Sequence, residues 1–489
     1  MYPTLEETKR LSQKANLVPV YREIVADLET PVSAFLKLNR GGHSFLLESV
    51  EGGERIGRYS FIGTDPYRTL TVGASEAGDP LRSVQAELQK YVTATVSGLP
   101  KFTGGAVGYV GYESVTCFEE LLSPETDNLN LPIACFMLAD ALLIFDHVTH
   151  RIKVVSHVHT GGDLESSYQS ARGKIDSMIR RLRQPLPPED NNVPPIVEKT
   201  HELTSNFTEP EFEDAVAKIK EYITAGEAIQ VVLSQRLKRP THAQPFAIYR
   251  ALRTINPSPY MFYLDFVDFQ LIGASPEILV RVDGDTVITR PLAGTRPRGR
   301  TQEEDERLEH ELRTDEKERA EHIMLVDLGR NDIGRVSEPG TVEVSQLMDV
   351  EKYSHVMHLV THVQGKLRRE MTAFDALRAC FPAGTVSGAP KIRAMQIIAE
   401  SEPEKRGAYA GAAGYFSFSG NMDMAIAIRT IVLKDGVAYV QAGGGIVYDS
   451  VPEREYQESL NKAQATLKAI EQAESSSQQQ EASHVAANR

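Results

Sequence analysis

Apolar residues change their spacing several times along the chain, and each change marks an element. Phe212, Val216, Ile219 and Ile223 recur at helical spacing, and Gly226 follows where such a helix can end. The next run, Ala228–Leu237, alternates instead, which predicts a strand with Gln230, Val232, Ser234 and Arg236 on one face. Helices are predicted over 164–183, over 302–330 (acidic at its start, apolar near Ile323–Leu328) and over 455–473. Strands are predicted at Ala106–Val110, Ile152–His157, 409–419, 424–433 and 437–442. Strands and helices do not alternate strictly, so the pattern predicts an α+β fold, not a doubly wound sheet.

Two stretches interrupt this order. Residues 184–200 are rich in proline and polar side chains and predict a linker or long surface loop. Residues 474–489 are rich in Ser, Gln and Ala and predict a disordered tail. The 489 residues suffice for two to four domains at roughly 100–200 residues each.

Charge and cysteine content narrow the class of function. Lys+Arg 53 against Asp+Glu 67 leaves a net charge of −14, with no basic patch, so neither nucleic acid nor an acidic membrane is the expected partner. The longest apolar run, Leu131–Phe145, is too short to span a bilayer and contains Asp140, and the acidic start lacks a signal peptide. Cys117, Cys135 and Cys380 are too scattered for a disulfide framework or zinc site, so a reducing cytoplasm is expected.

Several groupings suit chemistry. Glu318 with Glu321, and Glu455 with Glu458, are each three apart and share a helix face. If the two helices converge, the four carboxylates make an oxygen pocket suited to Mg2+. The same spacing also suits a solvated face, with Lys462 as the ion-pair partner of Glu458. Gly443, Gly444 and Gly445 follow a strand and let backbone amides approach an anion, or form a plain turn. The segment Phe381–Lys391 fails as a phosphate loop: three residues, not four, separate its glycines, Lys391 does not follow the second, and Pro390 removes a donor. Arg429 is predicted on a strand face beside Ala425 and Ala427, with room for a ligand carboxylate or a structural one. His355 and His358 lack a metal-binding pattern; either suits acid–base work or a structural role.

From about residue 210 to 465 the chain resembles the chorismate-binding enzymes, and among them the large subunits (component I) of anthranilate synthases. The matching segments are Asn256–Phe262, Gly273–Glu277, Arg290–Gly299, Asp315–Glu318 through Arg330–Asp332, Val356–Val360, Gly384–Lys391, Gln441–Val447 and Asp449–Glu453. Residues 18–165, including Leu46-Leu47-Glu48-Ser49, resemble the N-terminal region of that family. That region is regulatory and packs on a catalytic domain, here 205–470.

The resemblance implies β-sheets packed around central helices, with chorismate in a cleft. It implies Mg2+ on Glu321 and Glu458, with Glu318 and Glu455 in an outer, water-mediated shell. Glu277 matches the acid for the leaving C4 hydroxyl, and His358 matches the residue of the later pyruvate elimination. Tyr409 and Arg429 match groups holding the side-chain carboxylate, while Thr295, Lys462 and the Gly443–Gly445 amides match further substrate contacts. Gln230 stands where water-adding relatives carry a lysine base, and Ala293 where aminodeoxychorismate synthases carry a lysine nucleophile. Both favour the addition of ammonia and the formation of anthranilate, the first step of tryptophan biosynthesis. Glu48, Ser49, Asn256, Pro259, Tyr260 and Met261 match a tryptophan feedback site. With no glutaminase segment in the chain, ammonia is expected from a separate glutamine amidotransferase subunit, in a heterotetramer of two large and two small subunits. An amination-only synthase and a non-catalytic regulator are the alternatives.

Overall fold

Every position of strands Gly105–Val110 and Ala134–Ala139 is buried, so both faces of these strands must be covered. One face meets a second sheet: Val107, Tyr109 and Met137 join Phe45, Leu142, Ile144, Phe262 and Leu264 in a single apolar cluster. The two antiparallel sheets, of twelve and ten strands, thus stack face to face. The computed structural model describes residues 1–50, 57–73, 78–187, 202–353 and 356–487, with side chains to residue 475. Most of the predicted 184–200 linker, and His355, lie outside the described residues.

Helices cover the outer faces. Pro31–Leu38, Leu164–Leu182, Pro245–Ile255 and Pro452–Ala487 pack on the twelve-stranded sheet. Arg82–Leu88, Glu316–Gly334 and Ala373–Cys380 pack on the ten-stranded one. The α+β class holds: two large antiparallel sheets pack face to face, with helices against their other faces. The cause is the apolar inner face of both sheets, which each satisfies against the other.

The N-terminal region does not fold apart from the rest. Strand Ser44–Glu48 pairs with Tyr260–Asp265, setting Glu48 opposite Met261, and Gly105–Val110 pairs with Ala412–Ser417. Residues 18–165 and 205–470 therefore share both sheets.

Three local predictions change. The single helix expected over 302–330 is two, Gln302–Thr314 and Glu316–Gly334. Asp315 breaks it by accepting from the amides of Lys317 (3.0 Å) and Glu318 (3.1 Å) as an N-cap. The strand expected over 424–433 is also two, Met422–Ile426 in one sheet and Thr430–Lys434 in the other. The last helix runs on to Ala487 through the expected tail, since Ala and Gln favour helix once a packed segment has started one.

Candidate active site

Two of the singled-out residues sit where the chain leaves one sheet for the other. Glu277 lies between strand Phe269–Ser275 of the larger sheet and Ile278–Asp283 of the smaller. Arg429 lies between Met422–Ile426 and Thr430–Lys434, crossing the opposite way. The amide of Ile426 donates to the Glu277 carbonyl at 3.0 Å and ties the two corners together. Arg429 is therefore not on a strand face; it takes φ +49°, a left-handed conformation that a sharp crossover requires and a side chain tolerates at a cost.

The Glu277 carboxyl is buried. Leu292 N donates to one oxygen at 3.4 Å and Thr385 Oγ1 to the other at 3.2 Å. Burial dominates these contacts and the nearby Arg429, pushing its pKa up to about 8. At neutral pH the group is a protonated acid. Arg429 is half-buried; desolvation lowers its pKa and Glu277 opposes that shift.

His358 is buried on strand Val356–Lys366, opposite Thr295 of strand Leu292–Pro297. Its Nδ1 lies 3.0 Å from both the Gly294 carbonyl and Thr295 Oγ1. A carbonyl only accepts, so Nδ1 is assigned the proton and Nε2 is left as an acceptor. Burial lowers its pKa to about 4, so the ring is neutral at physiological pH. Tyr409 reaches the same region because Ala410 N donates to Ala427 O and Ala427 N to Gly411 O. It is buried, which raises its hydroxyl to about 12.

The two glutamate pairs converge on one cleft. Burial and Glu318 raise the pKa of Glu321, and burial and Glu458 raise that of Glu455; the fields of Lys462 and Lys317 reach both. Gln230 Nε2 donates to Glu321 at 3.4 Å, while its Oε1 is buried without a partner. The three glycines are needed here. A Cβ on Gly445 would stand 2.3 Å from Gln230 Nε2, and one on Gly443 2.1 Å from the Leu233 carbonyl. One on Gly444 would lie 3.2 Å from Glu455 and 3.3 Å from Glu458, so this backbone lies against the carboxylates.

Cations already hold part of the set. Arg296 pairs with Glu318 at 3.0 Å and with Asp315 at 2.8 Å. Lys462 pairs with Glu458 at 2.8 Å and donates to the Gly443 carbonyl at 3.0 Å. Among the described residues no three His, Cys, Asp or Glu groups form a ready cage. Mg2+ needs none: it takes one or two carboxylates and fills its shell with water and substrate oxygens. The hard-oxygen donors, half-buried at Glu318, Glu321 and Glu455 and open to solvent at Glu458, fit such an ion.

The Glu48 group forms a separate pocket between the sheets. Glu48, Ser49, Pro259, Tyr260 and Met261 line it with Tyr415 and Asp423. Asn256 does not; it ends helix Pro245–Ile255. The Glu48 carboxylate is already engaged: Tyr249 Oη donates at 2.5 Å, and Arg253 at 3.0 and 3.3 Å. Tyr260 spans the gap, its hydroxyl accepting from Arg281 at 3.1 Å, and Arg281 pairs with Asp423 at 2.7 Å.

The sequence marks neither Tyr249 nor Arg253, nor the individual role of Thr385. Only Thr385 lay within a quoted motif. The others act across folds of the chain that no spacing reports.

A family model described as chorismate binding enzyme matches residues 42–468. The chain belongs to the chorismate-binding enzyme family. The particular relatives that align over almost its full length are named anthranilate synthase component 1. That of Acetivibrio thermocellus is 52% identical over 96% of this chain and 99% of its own, and that of Aquifex aeolicus 49% over 97% and 99%. Among solved structures, anthranilate synthase component I from Streptococcus pneumoniae superposes with a TM-score of 0.76 at 40% identity, covering 91% of this chain and 98% of that one. The menaquinone-specific isochorismate synthase of Escherichia coli shares the fold, with a TM-score of 0.70 at 21% identity over 95% and 98%. No helix among the described residues is long and apolar enough to cross a membrane.

Proposed function

We propose that this chain is the synthase subunit that converts chorismate and ammonia to anthranilate and pyruvate. It is a carbon–oxygen lyase that uses Mg2+, takes ammonia from a glutamine amidotransferase subunit and is inhibited by tryptophan. The observation that carries the reading is Glu277: a carboxylic acid kept protonated at neutral pH by burial, within the field of the half-buried Arg429.

Arg429 and Tyr409 bind the side-chain carboxylate of the substrate, the arginine through its fork and the phenol through its hydroxyl. Glu277 gives its proton to the C4 oxygen as that group departs and ammonia bonds to ring C2. Gln230 stands beside this face without a basic amine, so water is not activated there. His358, neutral with Nδ1–H turned to Gly294, takes the C2 proton on Nε2. The C3–O bond then breaks, the side chain departs as enolpyruvate and takes up a proton at its methylene carbon to become pyruvate, and the ring becomes aromatic. Glu321 and Glu458 would hold Mg2+, with Glu318 and Glu455 behind water and Lys462 yielding its hold on Glu458. When bound, the ion offsets the charge of the ring carboxylate and orients it. The Glu48 pocket suits tryptophan, with apolar Pro259 and Met261 for the indole.

The test is an assay with chorismate, Mg2+ and an ammonium salt, read by anthranilate fluorescence and pyruvate release. Anthranilate with equimolar pyruvate is the expected result. An aminated product without pyruvate indicates an amination-only synthase, and no turnover indicates a binding protein; either result overturns the reading.

A further inference from the structure

Arg406 is the largest fully buried side chain described, and it belongs to no site discussed above. Its guanidinium ties together three segments that reach the cleft. Nη1 donates to the Val386 carbonyl at 2.7 Å and Nη2 to the Val232 carbonyl at 2.8 Å. Val386 follows Thr385, the donor to Glu277; Val232 is two residues from Gln230 on the same strand face. The guanidinium carbon lies 5.5 Å from the ring centroid of Tyr409 and 4.7 Å from that of Tyr112.

Its counter-ion extends the connection. Glu402 accepts from Arg406 Nε at 2.8 Å and Nη2 at 2.6 Å, and also from the amide and hydroxyl of Ser234 at 2.9 and 2.8 Å. Gln441, on the strand that continues into Gly443–Gly445, donates to that hydroxyl at 2.9 Å. The backbone at Arg406 is fixed as well, because Glu113 accepts from the amides of Arg406 (2.7 Å) and Gly407 (3.0 Å). A buried ion pair is a poor device for stability, since its desolvation offsets most of the attraction. A planar fork with fixed donor directions is a good device for setting several carbonyls at once.

We infer that Arg406, held by Glu402, is a positioning residue that sets the Thr385 loop, the Gln230 strand and the Tyr409 ring in register around the substrate. The inference rests on the proposed synthase reading for its kinetic consequences. The geometric claim stands apart from that reading.

The first test is Arg406→Lys. An ammonium keeps the charge beside Glu402 but cannot span both carbonyls. Activity is expected to fall by up to about 10²-fold in kcat, the scale of a small misplacement at a reacting centre. The high-pH limb of kcat/KM should move upward, because the Thr385 bond lowers the pKa of Glu277. The paired variant Glu402→Leu/Arg406→Met replaces the ion pair with apolar groups. It should fold with a lowered Tm, because the Val386 and Val232 carbonyls and the Ser234 amide lose these partners, and should share the kinetic defect. Amide hydrogen exchange at 384–387 and 230–233 should quicken in both variants, whatever reaction the enzyme catalyses. Faster exchange without any anthranilate activity in the parent would spare this inference and sink the synthase reading. Unchanged exchange, kcat and pH limb in a folded Arg406→Lys protein would overturn the positioning role.

Discussion

At the scale of single residues, the proposed chemistry rests on two protonation states, and both leave a trace in stability. Burial raises the pKa of Glu277 from the ordinary 4.5 to about 8, so the native state binds the extra proton between those values. Stability therefore falls as pH rises through that window, by an amount on the order of 5 kcal/mol. Glu277→Gln removes the effect. Its Tm relative to the parent should climb between pH 5 and pH 8 while anthranilate formation is lost, as calorimetry and fluorescence can read side by side. A Tm difference that stays flat with pH would place the Glu277 titration elsewhere. His358 has the opposite sign. Its pKa is depressed from 6.5 to about 4, so its contribution is present above 6.5 and is lost as pH falls toward 4. His358→Met should impair elimination more than amination, and chromatography should show the aminated intermediate building up; equal loss of both steps would make it a substrate-positioning group.

At the scale of elements, the glutamate helices are set by their ends and by the glycines they face. Asp315 starts one helix and the Gly443–Gly445 strand end lies against the other, so carboxylates far apart in sequence are held near one another. Desolvation, and secondarily their mutual repulsion, raises the pKa of Glu321 and Glu455. Without Mg2+, Glu321→Gln should therefore be at least as stable as the parent. Added Mg2+ should raise the Tm of the parent, because a ligand bound only by the native state stabilises it, and should do so far less for Glu321→Gln or Glu458→Gln. Activity in these variants should need higher Mg2+. An equal Tm response to Mg2+ in parent and variants would remove these glutamates from the ion's shell.

At the scale of the whole molecule, the regulatory reading depends on the two sheets being continuous through both halves of the chain. The Glu48 pocket opens between them, and Tyr260 with Arg281 and Asp423 bridges it. On the smaller sheet the pocket is lined by Ala425, four residues from Arg429. Were tryptophan to bind there as proposed, it would act next to the strand that leads to Arg429, and any coupling between the two sites would be reciprocal. Glu48→Gln is expected to cost a charge-assisted bond of about 1.5–3 kcal/mol, weakening tryptophan inhibition roughly 10- to 150-fold. Because Tyr249 and Arg253 also lean on that carboxylate, the variant's Tm should fall as well. A tryptophan titration at matched chorismate decides it; an unchanged curve would exclude Glu48 from the site.

Period and composition were enough to determine the α+β class, most helices and strands, and the absence of a P-loop. They reflect short-range physics: which side chains share a face, and where the backbone can turn. Family motifs then marked Glu277, His358, Glu321 and Glu458 as candidates for chemistry. Only the tertiary structure decided that the sheets pack on each other with helices outside, because both apolar faces of a strand look alike in sequence. It likewise decided that Arg429 turns a corner between sheets instead of lying on a strand, and that Asp315 divides one apparent helix into two. Protonation was beyond sequence for the same reason. The states of Glu277 and His358 come from burial and from partners such as Thr385 and Gly294, and desolvation is a property of the packed cleft that no local stretch of residues carries.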